Sequence, residues 1–101
     1  MEVRLPHRLD PAEVRQRLDR GIERARTEYA DKVTQIDSTW ESDQRLLLVL
    51  VVMGMSITGD IDVLPDEMVV KVNLPMMAKM FAGPIRSGIE ERLGGLLAAT
   101  A

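Results

Sequence analysis

Residues 45–55 read RLLLVLVVMGM, and the reading of this stretch decides the fold. Leu46 to Met53 run apolar without a break, in a chain of 101 residues of which 29% are charged. Such a run is a membrane span, a strand buried on both faces, or a strand with one sticky face. A spanning helix needs about 20 consecutive apolar residues, and Gly54, Ser56, Thr58 and Asp60 interrupt this one before that length is reached. The run therefore reads as a strand.

Its neighbours alternate where it does not. Upstream, Ile36 and Trp40 share a face with Thr34 and Ser38, while Gln35, Asp37 and Thr39 take the other. Downstream, Met55, Ile57, Ile61 and Val63 alternate with Ser56, Thr58, Asp60 and Asp62, which leaves Gly59 on the apolar face. Pro65-Asp66-Glu67 forms a turn, with proline suited to its second position. After it Met68, Val70, Val72 and Leu74 oppose Val69, Lys71 and Asn73. Loops this short between successive strands predict an antiparallel meander.

Helical periodicity brackets the meander. In LDPAEVRQRL, Asp10 is placed as N-cap, Pro11 at the first helical position and Glu13 as the partner completing a capping box. Val14, Leu18, Ile22, Ala25 and Tyr29 then fall within an arc of about 80° at 100° per residue, and the helix is expected to end near Asp31. The last segment, LPMMAKMFAGPIRSGIEERLGGLLAATA, is helical in pattern, with a stripe of Ile85, Ile89, Leu93 and Leu96. A short helix from Pro75 to about Ala82 is predicted, then a kink or restart near Gly83-Pro84, because proline lacks the N–H and clashes with the preceding turn. Val3 and Leu5 supply a short first strand.

The expected fold is α+β: an antiparallel sheet in the order β-α-β-β-β-β-α with two amphipathic helices on one face. Residues 1–101 suffice for one core and are too few for two, so a single domain is expected. Its strands are placed at 2–5, 34–40, 45–54, 56–64 and 68–74, its helices at 10–31 and 75–98.

In that fold the long run has an unusual consequence. Both of its alternating sets are apolar: Leu46, Leu48, Leu50 and Val52 on one face, Leu47, Val49, Val51 and Met53 on the other. Only one set can meet the helices, and the strand itself, having no polar parity, does not show which. The candidate interaction surface is Leu47, Val49, Val51 and Met53, together with the methionine-rich group Met76, Met77, Met80 and Phe81, whose flexible side chains adapt to irregular partners. Four aliphatic side chains offer a few hundred Å², while a stable interface buries about 800 Å² per partner. The strand is thus expected to seed a homodimer or a contact with a hydrophobic partner.

Composition excludes several functions. Residues 1–32 hold eight Lys/Arg against seven Asp/Glu, and residues 33–101 five against nine. Arg15, Arg17, Arg20, Arg24 and Arg26 alternate with Glu13, Asp19, Glu23 and Glu28, so no basic field for nucleic acid develops. Without cysteine there is no thiol nucleophile, disulfide framework or cysteine zinc site. MEVRLPHRLD has no apolar core of an export signal, which predicts a cytoplasmic protein. His7 is the single histidine, and no Gly-x-Ser-x-Gly surrounds Ser38, Ser42, Ser56 or Ser87. Asp60 and Asp62 share a strand face but make a poor cation site without further ligands, and no glycine loop cradles phosphate. No catalytic residue, metal or cofactor is therefore assigned. His7 and Asp10 are read as structural elements that cap or hydrogen-bond the start of the first helix.

Three segments, LPHRLDPAEVRQRLD, SITGDIDVLPDEMVVKVNLP and LPMMAKMFAGPIRSGIEERLGGLL, in this order and at this chain length, resemble the polyhydroxyalkanoic acid system proteins. These small bacterial proteins are associated by name and gene context with storage-polyester granules, and His7 matches their His-x-Leu element. The resemblance implies a role in granule formation or regulation and brings no catalytic residues. The expectation is a noncatalytic, granule-associated protein that binds a granule surface or granule protein. The alternative is a carrier of a lipid-like ligand, or a cyclase-like domain, with an apolar pocket between sheet and terminal helix. A pocket of ~300 Å³ or more would compete with the core for the same side chains.

Overall fold

The computed structural model describes residues 1–31, 33–52 and 54–98, without the side chains of residues 77 and 78. The elements are β1 (Glu2–Pro6), α1 (Pro11–Glu28), β2 (Val33–Trp40), β3 (Arg45–Val52), β4 (Met55–Val63), β5 (Glu67–Asn73), a 3-10 segment (Met76–Phe81) and α2 (Ala82–Ala98). One antiparallel sheet holds all five strands in the order β1-β5-β4-β3-β2. The meander runs from β2 to β5 as the alternation predicts. β1 returns to pair with β5, so β2 and β1 are the two edges.

Strand register sorts the side chains into two faces, because directly paired residues point the same way. Val3, Val70, Ile61, Leu46 and Trp40 line up across the sheet. They pack with Val14 and Leu18 of α1 and Leu97 of α2 into one core, so both helices cover the same side. Leu18, Leu46, Met68, Val14 and Val63 are almost wholly buried, each contributing on the order of 1.5–3 kcal/mol of transfer free energy. The β3–β4 connection is tight: two residues separate the paired Val52 and Met55, and Gly54 adopts φ +79°, which glycine takes without steric cost.

Several local expectations are corrected. Asp10 caps α1, its carboxylate accepting the Ala12 N–H at 2.9 Å. The reciprocal half of the capping box does not form among the described residues, because Glu13 turns instead to Arg17 at 2.9 Å and Arg20 at 3.9 Å. α1 ends at Glu28 rather than near Asp31, the Tyr29 N–H bonding the Ala25 carbonyl. The strict alternation expected from Thr34 through Ile36 is interrupted by a register shift between Val33 and Gln35. The C-terminal segment divides much as expected: the 3-10 segment ends at Phe81 and α2 restarts at Ala82, two residues before Pro84. Pro84 lies in the first turn of α2, where a missing N–H breaks no helical bond.

Arg17, placed by periodicity on the wet side of α1, is 9% exposed. Its guanidinium donates to Glu13 and, at 3.0 Å, to the Leu96 carbonyl near the end of α2. A cation there satisfies a carbonyl without an intrahelical partner. The residue α2 buries most deeply is Leu97, one position beyond the expected stripe.

Candidate functional site

The side of the sheet turned away from the helices is divided in two. One row across it reads Glu2, Lys71, Asp60, Leu47 and Thr39, and the next Arg4, Val69, Asp62 and Arg45. Charge gathers on β1, β5 and β4. On β3 the outward positions are Leu47, Val49 and Val51, all half-buried. Their cross-strand neighbours are Thr39 and Asp60, Asp37 and Thr58, and Gln35 and Ser56 respectively. An apolar strip thus runs between two polar strands. Met53 lies outside the described residues.

The charged half is laced by ion pairs in which two guanidiniums serve five carboxylates. Arg45 hydrogen-bonds Asp60 and stands 3.9 Å from Asp62 and 3.8 Å from Glu41. The two aspartates that suggested a cation site therefore already share a guanidinium. Arg4 bridges Glu2 at 3.1 Å and Glu67 at 2.6 Å. The hydrogen bond and charge of Glu2, followed by the charge of Glu67, raise its pKa above the usual guanidinium value.

The second part of the sequence-derived surface lies elsewhere. Met76, Met80 and Phe81 in the 3-10 segment are 84%, 79% and 51% exposed. Among the described residues this segment packs on α2 and does not touch β3. The side chain of Met77 lies outside the described residues. The predicted apolar surface is therefore two patches on separate elements.

His7 is buried and committed to structure. Its Nδ1 accepts the Leu9 N–H at 3.1 Å, which leaves the proton on Nε2 to be donated to the Leu64 carbonyl at 2.8 Å. The His7 N–H bonds the Asp66 carbonyl at 3.0 Å. The residue ties the β4–β5 turn to the entry of α1, and neither ring nitrogen has a lone pair left for a base or metal ligand.

The helix side holds a feature that periodicity did not announce. In the row Val72, Gly59, Leu48 and Ser38, two small residues stand between rows carrying Ile61, Leu46 and Trp40 on one side and Ile57, Leu50 and Ile36 on the other. Gly21 and Ala25 of α1 border the same space, which forms a cavity of about 300 Å³. A Cβ at Gly59 would stand 2.8 Å from the Lys71 carbonyl oxygen, so close strand approach keeps this position without a side chain. Ile22, Leu93 and Leu96 close the cavity from the helices. Arg24, Glu28 and Arg92 also border it and are exposed, so they mark its open side. Arg92 meets Glu28 at 3.3 Å and lies 5.0 Å from the centre of the Tyr29 ring. Gly59 on an apolar strand face was the one sequence signal for this space.

Among the described residues no group of three His, Asp or Glu side chains could hold a metal ion, and no helix is long and apolar enough to cross a membrane.

No curated protein matches this chain. Among solved structures it is similar to the crystal structure of Ara h 8.0201, at 12% identity over 98% of this chain and 97% of that one. The TM-score of 0.41 is too low for that likeness to carry an argument. The model of the family described as putative polyhydroxyalkanoic acid system protein matches residues 1–97. With nearly the whole length matched, the chain belongs to that family.

Proposed function

We propose that this protein is a noncatalytic binding component of the polyhydroxyalkanoic acid system, located in the cytoplasm at the storage-granule surface. It pairs with a second copy through the outward side of β3 and presents the 3-10 segment to apolar material. The observation carrying this reading is the apolar strip of Leu47, Val49 and Val51 on the helix-free side of the sheet, between two polar strands. Three aliphatic side chains supply a fraction of what a stable interface buries, so neighbouring polar residues such as Asp37 and Thr58 form its rim. Exposed Met76, Met80 and Phe81 provide a separate apolar contact that dimerisation on β3 leaves uncovered.

The bonding of the ionisable residues supports a role without catalysis. Both His7 nitrogens are engaged, and Asp60 and Asp62 are held by Arg45. A fluorescent fusion in a polyester-producing host tests the proposal. It should collect on granules, and Met80→Asp with Phe81→Ser should disperse it while the purified variant keeps its circular dichroism spectrum. A parent fusion that stays diffuse would overturn granule binding.

A further inference from the structure

We propose that the cavity between the sheet and the two helices binds a single-chain amphiphile of about ten carbons with an anionic head, a medium-chain fatty carboxylate. This proposal concerns the opposite side of the sheet from the β3 strip and does not depend on the granule reading.

Size sets the chain length. An apolar cavity of about 150 Å³ already accepts benzene, and this one measures about 300 Å³. At about 30 Å³ for each water-sized group, it takes about ten heavy atoms. The lining sets the polarity: Leu48, Leu50, Ile57 and Val72 from the sheet face Ile22 and Leu93 from the helices. None of these six can hydrogen-bond through its side chain, so a polar solute would lose hydration without compensation. Thr58, Asp60 and Lys71 touch the space at their backbones, since register turns their side chains to the other face.

Charge at the open side sets the head group. Arg24 and Arg92 border the cavity there, and Glu28 neutralises only Arg92. Arg24 has no ion pair among the described residues. An exposed guanidinium beside an apolar cavity complements a ligand with an apolar tail and an anionic end. The glycine at position 59 keeps the floor open, and the backbone contact that any Cβ there would make explains why the space is not filled from the sheet.

Isothermal titration with sodium decanoate, below its micelle concentration, tests the site, with decanol as the uncharged probe. Saturable binding of one decanoate per chain is expected. Arg24→Gln should weaken decanoate about threefold to fivefold, the range of an exposed charge pair, and leave decanol unchanged. Ala25→Phe, which fills the cavity from α1, should abolish binding of both probes with the melting temperature kept. If that variant fails to fold, Leu50→Phe fills the same space from the sheet. Absence of saturable binding, equal loss of decanol and decanoate in Arg24→Gln, or a folded filling variant that binds normally would each overturn the proposal.

Discussion

Leu46 and Leu47 are adjacent and chemically identical, yet β3 uses them differently. Leu46 is fully buried beneath the helices, whereas Leu47 is half-buried on a side that no element among the described residues covers. The same holds down the strand: Leu48 packs against the core, and Val49 stands between Asp37 and Thr58. The helix side is selected for filling space, apart from the cavity at Gly59. On the outward side Val69 of β5 is buried by its neighbours, whereas Leu47, Val49 and Val51 stay half-buried, and this remaining apolar exposure is the basis of the proposed contact.

Substitutions that place a charge on one side or the other should separate these roles most sharply. Leu46→Asp buries a carboxylate with no partner and should cost several kcal/mol, enough to abolish cooperative thermal unfolding. Leu48→Asp should act in the same direction. Ile61→Ala, on the helix side of β4 and 2% exposed, should cost about 2–5 kcal/mol by chemical denaturation.

On the outward side the effects should be smaller. Arg45→Met leaves half-buried Asp60 and Asp62 without their guanidinium, and a loss of about 1 kcal/mol is expected, read as a shift in denaturation midpoint. Val49→Thr preserves shape and β-branching and should change stability by less than about 0.5 kcal/mol, while weakening self-association seen by sedimentation. Equal costs for Leu46→Asp and Val49→Asp would erase the distinction between the two sides.

Much of this architecture was legible in the sequence. Alternation in β2, β4 and β5 named their helix-side faces, although Val69 on the other face of β5 is buried too, and the cap at Asp10 marked the start of α1. The faces of β3 were not legible from β3 itself, because a strand with two apolar sets carries no polar parity. Register with Asp37, Thr58 and Asp60 resolves them. Arg17 escaped because periodicity assigns a charged residue to solvent, while its buried position depends on a carbonyl 79 residues away in the chain. Pro84 did signal the restart, because a proline that cannot continue a helix is tolerated in the first turn of a new one. The cavity depends on small residues of α1 and β4 meeting across the core, and no local pattern encodes that meeting.

The account stands most directly on the outward side of β3, and light scattering on the parent and Val49→Asp at high micromolar concentration tests it. The parent should scatter as a dimer, and Val49→Asp as a monomer with its helix and sheet signals and melting transition preserved. A parent that is monomeric throughout, or a Val49→Asp variant that unfolds or remains dimeric, would contradict it.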